Sequence, residues 1–263
     1  MNNAHVLVTG ANGPLGSLVA EDLIQAGYSV TGLSRKDAPR DFKGNWRSCD
    51  LLNGEQVRNA LEGVNVVVHC ASDAQRPQDD AAVVDHLVAA SKTNDIHIVY
   101  VSICGIEEAS KHLEYYKVKI RNEEKIHSSG VLHTIVRISQ FHPFVSMILS
   151  QLVRGPVILL PRFQLQPVDI HFAAQQLATH AIASPANGRA PDVHGPDLLT
   201  SAVLIDSWCK AQGLRKLRIP IPAFSLLKAL ASLTPTSGVS GGISWNEWLK
   251  QEVMQSNPYI QKA

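Results

Sequence analysis

The sequence has little of several features that mark specialised classes of protein. Its 24 lysines and arginines nearly balance its 23 aspartates and glutamates, which leaves a formal net charge of +1. A chain with so small a net charge has no general electrostatic attraction for nucleic acid or an acidic membrane, so neither is expected as a partner. Apolar residues make up 45% of the 263 residues and charged residues 18%, an ordinary composition for a globular protein with a core.

Cysteine is scarce and irregularly spaced. The four cysteines, Cys49, Cys70, Cys104 and Cys209, form no C-x-x-C pair and no spacing typical of zinc, so we expect no metal site. Three of them fall at the ends of predicted strands, where buried reduced thiols are typical. This pattern predicts a reducing compartment, the cytoplasm.

Long uninterrupted apolar runs are also absent. The longest candidate, residues 144–160, is broken by polar residues, glycine and proline, and falls short of a membrane span. A second stretch, residues 224–233, is short and carries Lys228, which favours a helix that covers a pocket over one that lies on a membrane. The first seven residues lead directly into the first predicted strand, so no secretory signal is expected.

The first half of the chain alternates short β-branched runs with helical patterns. The predicted strands are His5–Thr9, Ser29–Leu33, Trp46–Cys49, Val64–His69, Ile96–Ser102 and His133–Arg137. The predicted helices are Pro14–Ala26, Ala81–Thr93 and Glu114–Ser128. Nearly continuous apolar strands separated by helices predict an α/β fold with a doubly wound parallel sheet, the Rossmann type.

After Ser139 this rhythm loosens and prolines become frequent. We therefore expect a Rossmann core over residues 1–142. Residues 143–263 are expected to form a smaller, less regular substrate-binding lobe, partly interleaved with the sheet in one compact unit. The apolar character of the lobe indicates an apolar pocket for a small molecule without naming the substrate. The oligomeric state stays open, with a homodimer as one option.

A glycine-rich turn directly after the first predicted strand is the most informative motif. The spacing is G-x-x-G-x-x-G, and the turn opens into an amphipathic helix. Such a turn brings backbone amides and the positive end of a helix dipole to a pyrophosphate. The predicted cofactor contacts here are Gly10, Asn12, Gly13, Pro14, Leu15 and Gly16. The alternative is a purely structural turn, which the agreement of strand, turn and helix disfavours.

The end of the second predicted strand bears on the choice of dinucleotide. NAD sites usually carry an acid about 20 residues past the glycine motif, but here Ser34 and Arg35 follow the strand and no acid occurs before Asp37. Arg35 is suited to pair with a 2′-phosphate, and Ser34 to donate a hydrogen bond to it. NADP(H) is therefore favoured, although an exposed basic loop would give the same pattern.

Two further strand ends are candidate cofactor contacts. Asp50 and Leu51 follow the third predicted strand, where a carboxylate would accept a hydrogen bond from the adenine amino group. Asp50 is equally suited to cap the next turn. Cys70, Ala71 and Ser72 close the fourth strand, and such small residues either permit close approach of a nicotinamide ribose or fit a crowded core.

A tyrosine and a lysine lie at positions i and i+4 of the third predicted helix. Tyr115 and Lys119 therefore project from the same face. A nearby ammonium lowers the pKa of a phenol and suits it to acid–base catalysis near neutral pH. Lys119 is also a candidate ribose contact. Because the region is rich in tyrosine and basic residues, a chance match is the alternative.

At this point the sequence resembles a known group, the NmrA-like NAD(P)H-binding branch of the atypical short-chain dehydrogenase/reductases. The resembling segments are residues 8–16, 34–35, 100–105, 115–119, 136–142, 166–169 and 243–249. The resemblance implies a doubly wound sheet, NAD(P)H binding and a substrate pocket formed by the C-terminal lobe.

One position departs from the pattern of that group. Its fuller catalytic set adds a serine or threonine just past the fifth strand. Ser102 ends this strand and is a candidate, but Ile103 or Cys104 takes the usual place. A thiol is a poorer hydrogen-bond donor than a hydroxyl, so the group that polarises a substrate carbonyl is left open.

Residues where the last sheet strand meets the C-terminal lobe are candidate substrate contacts. These are Gln140, Phe141 and His142, together with Cys104. Ligands of open α/β sheets bind at such strand ends, and His142 is suited to relay a proton. A packing role is the alternative for each of them.

Three functions fit these residues. The leading hypothesis is an NADPH-dependent oxidoreductase that acts on a carbonyl, quinone or activated alkene, with Tyr115 as acid or base and Lys119 as its tuner. The second is a non-redox dehydratase, epimerase or cyclase that uses the cofactor as an aid. The third is a non-catalytic regulator that binds NADP(H) and reports its redox state to a protein partner, and the retained Tyr115–Lys119 spacing argues against it.

Overall fold

The computed structural model describes residues 4–222, 229, 233–235 and 237–256. The chain divides into two compact units that alternate along the sequence. Unit 1 comprises the chain up to Ile103 and the segments Glu114–Arg137 and His171–Pro191. Unit 2 comprises Cys104–Leu113, Ile138–Ile170 and the chain from Asp192 onward. The boundary expected from the sequence, between residues 142 and 143, falls inside the second segment of unit 2.

The helices and strands follow one another in a βα rhythm in the first half of the chain. The strands are β1 (His5–Thr9), β2 (Ser29–Ser34), β3 (Asn45–Ser48), β4 (Val66–His69), β5 (His97–Ile103), β6 (His133–Ile138), β7 (Val153–Arg154), β8 (Val157–Leu160), β9 (Gln164–Leu165), β10 (Gly188–Arg189), β11 (Asp192–His194), β12 (Leu199–Thr200), β13 (Leu217–Pro220) and β14 (Gly238–Ser240). The helices are α1 (Pro14–Gln25), α2 (Gly54–Ala60), α3 (Pro77–Lys92), α4 (Ile106–Ala109), α5 (Glu114–Ser128), α6 (His142–Ser150), α7 (Ile170–Ile182), α8 (Ser201–Ala211) and α9 (Trp245–Ser256).

Unit 1 is built on a parallel sheet with the strand order β3-β2-β1-β4-β5-β6. In its centre, Val6 of β1 pairs with Val30 of β2 on one side and with Val66 of β4 on the other. The chain therefore reverses its direction of growth across the sheet between β1 and β4. This order and the crossover helices define a Rossmann fold, and the predicted fold class is confirmed.

The apolar strands form the core because helices cover them. Leu7 of β1 and Leu33 of β2 are buried with Leu61, Leu87 and Ile96 in one cluster. Helix α1 begins with Pro14 at its first turn, where the missing N–H of proline leaves no hydrogen bond unmade. The buried face of this helix consists of Leu15, Gly16, Val19, Ala20 and Leu23.

The predicted elements agree with the observed β1–β6, α1 and α5 to within two residues. Helix α3 was expected to begin at Ala81 but begins at Pro77. The expectation relied on apolar periodicity, whereas the first turn of α3 is polar. The short helix α2 was not predicted, since its seven residues contain only Val57 and Ala60 as buried positions.

Unit 2 contains smaller sheets and helices α4, α6, α8 and α9. Strands β13, β8 and β7 form one sheet and β12 pairs with β9 in another. Strand β14 pairs with β11, which in turn pairs with Ile138 through Val193. A cavity of about 610 Å³ lies in this unit. It is lined by Leu160, Pro161, Arg162, Phe163, Gln164, Thr200, Ser201, Ala202 and Pro220.

Two other expectations concern apolar stretches. Residues 144–160 form most of α6 and strands β7 and β8. The stretch 224–233 lies outside the described residues except for positions 229 and 233. Within the part of the chain that the structure describes, no helix has both the length and the apolar character needed to cross a membrane.

Candidate active site

The glycine-rich turn links β1 to α1 with very little room for side chains. Gly10 has a φ of +65°, in the left-handed region that glycine adopts readily. A Cβ on Gly10 would lie 2.9 Å from the backbone nitrogen of Ala71, which follows β4. A Cβ on Gly16 would overlap the carbonyl oxygen of Gly10. The motif therefore packs the turn, the first helix and the end of β4 against one another.

The N-terminus of α1 is suited to bind an anion. Its N-cap residue is Gly13, and no side chain caps the helix among the described residues. The backbone amides of the first turn have no intrahelical acceptors, and the helix dipole adds positive potential there. The diphosphate of a dinucleotide fits this turn because glycines keep it open and uncapped amides line it. Asn12 and Pro14 are exposed beside it, and Leu15 is buried beneath it.

The residues expected at the adenosine phosphate lie at the end of β2. Ser34 is half-buried, and its hydroxyl accepts a hydrogen bond from the Lys36 backbone at 3.2 Å. Arg35 is exposed and has no ion pair within the described residues. Its guanidinium is therefore available for a phosphate group. Next to it, the indole of Trp46 donates to the Lys36 carbonyl at 3.0 Å and braces this loop.

The residues after β3 have structural partners. Asp50 Oδ1 accepts a hydrogen bond from the Leu52 backbone at 3.1 Å, the geometry of an Asx turn. This contact is the capping role that the sequence left as the alternative. Leu51 is half-buried against the apolar cluster of unit 1, and its carbonyl contacts His86 Nδ1 at 3.0 Å.

A buried threonine–histidine pair supports the end of β4. Thr9 Oγ1 accepts a hydrogen bond from the Ala71 backbone at 3.2 Å and lies 2.8 Å from His69 Nδ1. Burial and then the nearby ammonium of Lys119 lower the pKa of His69 to about 3, so its ring is neutral. Burial raises the pKa of the Cys70 thiol to about 12, which makes a thiolate nucleophile unfavourable at this position.

Tyr115 is connected to Asp80 through Ser72. The phenol oxygen of Tyr115 lies 3.0 Å from Ser72 Oγ. Ser72 Oγ in turn donates to Asp80 Oδ2 at 2.7 Å, and the Asp73 backbone donates to Asp80 Oδ1 at 2.9 Å. Tyr115 is half-buried and Ser72 is exposed, whereas Asp80 is buried. The phenol is thus held at the surface of unit 1 by a chain of hydrogen bonds that leads inward.

Lys119 is buried beneath this chain. Its ammonium nitrogen lies 3.9 Å from Asp80 Oδ2 and donates to the Val101 carbonyl at 3.3 Å. It also lies 4.9 Å from the ring centroid of Tyr100 and 5.8 Å from that of Tyr115. Burial alone would lower the pKa of Lys119, but the charges of Tyr100, Tyr115 and Asp80 together raise it. The lysine is therefore a buried cation beside the phenol.

Ser102 lies away from this arrangement of hydrogen bonds. Its hydroxyl is buried and donates to Glu123 Oε1. Glu123 also pairs with Arg137, whose Nη2 lies 2.7 Å from Glu123 Oε2. The expected catalytic hydroxyl of Ser102 is thus engaged by a buried ion pair, and the structure brings Ser72, instead, to Tyr115.

The expected substrate contacts lie in unit 2. Cys104 is buried, with its sulfur 3.9 Å from the Val193 carbonyl. Gln140 is buried with no partner for Nε2 among the described residues, and Phe141 is half-buried and bridges to Val168. His142 is fully buried. Its ring lies 5.8 Å from that of Trp245 and 5.7 Å from that of Trp248, and neither ring nitrogen has a hydrogen-bond partner in the described structure.

Two features of the site were missed by the sequence analysis. The predicted bounds of α3 left Asp80 out, although Pro77 followed by Asp79 and Asp80 is a recognisable signal for the first turn of a helix. The pairing of Thr9 with His69 joins residues 60 positions apart. No local pattern predicts such a contact.

A Rossmann sheet with a glycine-rich, uncapped turn at the β1–α1 junction defines a dinucleotide-binding protein. A family model described as NAD(P)H-binding matches residues 10–143, about half of the chain. The chain belongs to this NAD(P)H-binding family, and the resemblance to NmrA-like, atypical short-chain dehydrogenase/reductases is confirmed. The prediction of an NAD(P)H-type cofactor is confirmed with it. No group of three potential metal ligands occurs among the described residues.

Two of the curated relatives with similar sequences are named reductases. The 2-alkyl-3-oxoalkanoate reductase of Shewanella oneidensis is 41% identical over 73 residues, which are 27% of this chain and 19% of that protein. A (4-alkanoyl-5-oxo-2,5-dihydrofuran-3-yl)methyl phosphate reductase of Streptomyces griseus is 27% identical over 206 residues, 74% of this chain and 70% of that protein. The chain thus spans about a fifth of the first relative's length and somewhat over two thirds of the second's.

Solved structures show the same fold at low sequence identity. A nucleoside-diphosphate-sugar epimerase from Staphylococcus aureus superposes with a TM-score of 0.79 over 94% of this chain and 99% of that chain. The two sequences are 18% identical. This likeness establishes the fold alone.

Proposed function

We propose that the protein is an NADPH-dependent reductase of a small or medium carbonyl, quinone or activated alkene. NADPH supplies a hydride when it is bound at the glycine-rich turn. In this proposal the uncommitted backbone amides in the first turn of α1 hold its diphosphate, and Arg35 pairs with its 2′-phosphate. This preference for NADPH over NADH relies on the uncommitted guanidinium of Arg35 and on the absence of an acid between the end of β2 and Asp37.

In this proposal Tyr115 is the acid that protonates the oxygen of the reduced substrate. Its side chain is half-buried, and the hydrogen bond with Ser72 fixes the position of the phenol oxygen. The Lys119 ammonium, 5.8 Å from the ring centroid, stabilises the phenolate that remains after proton transfer. The observation that supports the proposal most directly is this buried cation beside a hydrogen-bonded phenol in an NAD(P)H-binding fold. The names of the two relatives agree with a reductase.

The test is the Tyr115→Phe variant, assayed by loss of NADPH absorbance with a panel of carbonyls, quinones and activated alkenes. Since a positioned proton donor contributes about 10²- to 10⁴-fold to rate, we expect kcat to fall by that factor. The Kd for NADPH, measured by calorimetry, should stay within a few fold because the phenol does not hold the diphosphate.

The matched control is Tyr116→Phe, which removes the neighbouring phenol oxygen. Burial raises the pKa of Tyr116 to about 12 and its ring packs in the interior, so this oxygen has no role in proton transfer. It should keep most of the wild-type kcat. Full turnover by Tyr115→Phe would remove Tyr115 from the mechanism.

A second candidate function is a non-redox reaction, such as an epimerisation or dehydration, in which the cofactor is regenerated. One observation favours it. The Ser102 hydroxyl donates to Glu123, and the other candidate position, Cys104, carries a thiol. Neither of these two residues at the end of β5 then supplies an uncommitted hydroxyl that could polarise a ketone. Product formation without net NADPH consumption would identify it. For either function we place the protein in the cytoplasm, because none of the four cysteines forms a disulfide.

A further inference from the structure

Asp80 is a buried carboxylate that is linked to Tyr115 through Ser72 and lies near the Lys119 ammonium. Only 6% of its surface is exposed, and it lies in the first turn of α3. One of its oxygens accepts from the Ser72 hydroxyl at 2.7 Å and lies 3.9 Å from the Lys119 ammonium. The other accepts from the Asp73 backbone. A buried carboxylate is costly unless hydrogen bonds and a cation satisfy it, and these three contacts do so.

The direction of each hydrogen bond follows from the chemistry of the groups. An ionised carboxylate only accepts, so the single proton of the Ser72 hydroxyl is donated to Asp80. Ser72 Oγ then has only lone pairs left for Tyr115. The phenol proton must therefore point at Ser72. Asp80 thus sets the orientation of a hydroxyl group that it does not touch.

We propose that Asp80 is a positioning residue for Tyr115, acting through the Ser72 hydroxyl, which it orients as an acceptor, and through the Lys119 ammonium, whose charge it partly balances. Its role in catalysis rests on the function proposed above, whereas its effect on the phenol does not. Both paths have the same sign, because each favours the protonated phenol over the phenolate. Asp80 therefore keeps the proton on Tyr115 until a substrate accepts it.

The Asp80→Asn variant separates this role from simple packing. Asparagine keeps the shape but has one oxygen in place of two, so it cannot accept from both Ser72 and the Asp73 backbone. Ser72 then becomes free to donate to the phenolate oxygen, and the Lys119 charge is no longer balanced. Lys119 and Tyr116 lie against Tyr115, and Asp80 is linked to it through Ser72. Of these three titratable groups the variant changes only Asp80.

The experiment is ¹³C NMR of protein labelled at tyrosine Cζ, titrated with pH in the absence of cofactor and substrate. The chain has five tyrosines, and Tyr115→Phe identifies the signal of Tyr115. In Asp80→Asn we expect the midpoint of that signal to move to lower pH by about one unit, the size of effect that a nearby charge exerts. If the protein is the proposed reductase, the alkaline limb of kcat/KM moves by the same amount.

The matched control is Asp79→Asn. It removes the same charge from the adjacent position of α3, where the carboxylate is half-exposed and pairs with Arg76 at 3.2 Å. The Tyr115 midpoint should not move in this variant. An equal shift in both variants, or none in Asp80→Asn, would overturn the proposal.

A second variant covers the case in which Asp80→Asn does not fold. Ser72→Ala changes an exposed residue and removes the path through the hydroxyl, while the contact of Asp80 with Lys119 stays. We expect a smaller shift of the Tyr115 midpoint in the same direction, and an unchanged midpoint would overturn the proposal. Because the NMR readout needs no turnover, it stands even if every substrate panel fails.

Discussion

Lys119 and Arg137 are both buried cations of unit 1, but their surroundings differ. The guanidinium of Arg137 forms a two-pronged pair with Glu123, at 2.7 Å and 2.9 Å. Such a pair satisfies both charges and is structural. The ammonium of Lys119 has its carboxylate partner at 3.9 Å and faces two aromatic rings. Its charge therefore still acts on the phenol of Tyr115, which is what acid–base chemistry requires.

In the proposed function, cofactor preference depends on Arg35. We expect Arg35→Gln to weaken NADPH binding by about ten- to hundredfold, because a charge-assisted hydrogen bond to phosphate contributes roughly 1.5–3 kcal/mol. Binding of NADH, which lacks the 2′-phosphate, should change much less. Calorimetry with both cofactors measures the ratio of the two dissociation constants.

The control for this prediction is Arg40→Gln, which removes an equal charge from an exposed position farther along the same loop. It should leave the ratio of the two dissociation constants unchanged. If Arg35→Gln weakens the binding of NADPH and NADH equally, Arg35 does not bind the 2′-phosphate.

At the scale of elements, the β1–α1 turn is restricted by backbone contacts. Alanine normally stabilises a helix by about 1 kcal/mol relative to glycine. In Gly16→Ala we expect the opposite, a loss of about 1–3 kcal/mol, because the added methyl overlaps the Gly10 carbonyl and cannot rotate away. NADPH affinity should fall as well, since relief of the overlap displaces the amides that bind the diphosphate. Urea unfolding and calorimetry measure the two effects.

Gly63→Ala is the comparison for that variant. Gly63 has a φ of +71° and open space around its Cβ position. Alanine at this position therefore lowers the stability of the protein through backbone strain alone. It should keep wild-type NADPH affinity. If Gly16→Ala also keeps its affinity, the tight packing of the turn does not serve the cofactor.

At the scale of the whole molecule, three buried histidines make stability depend on pH. Burial, with neighbouring charges, lowers the pKa of His69 to about 3 and the pKa of His97 to about 4. Burial lowers the pKa of His142 to about 4, against the opposing charge of Asp169. Below pH 6.5 the unfolded chain takes up a proton at each of these positions, whereas the folded chain does so only near pH 3–4. Proton uptake therefore favours unfolding in this window.

We expect the free energy of unfolding to fall as the pH drops from 6.5 to about 4, by up to about 1.4 kcal/mol per pH unit for each histidine. Urea unfolding at a series of pH values measures the slope. His142→Phe should reduce the slope by up to about 1.4 kcal/mol per pH unit, the contribution of one proton. It should also raise stability at pH 7, because it removes a buried ring whose nitrogens lack hydrogen-bond partners in the described structure. The exposed His112→Gln is the control and should leave the slope as it is. A slope that His142→Phe does not change would contradict this account.

Local patterns determined much of this protein. Strands β1–β6, helices α1 and α5, the glycine turn and the Tyr115–Lys119 face follow from residues close together in the sequence, because hydrophobic period, proline and glycine act over a few positions. The predicted start of α3 was wrong, because the first turn of this helix is polar and shows no apolar periodicity. The roles of Arg35, Tyr115 and Lys119 stay predictions.

Tertiary structure alone decided which polar groups meet. It places Ser72 within hydrogen-bond distance of Tyr115, 43 positions away, and Ser102 within hydrogen-bond distance of Glu123, 21 positions away. It also buried His142 against two tryptophans that stack on each other. The physical reason is that a hydroxyl or carboxylate takes whatever partner packing places within about 3 Å. Sequence spacing carries no information about such distances once a strand or a helix intervenes.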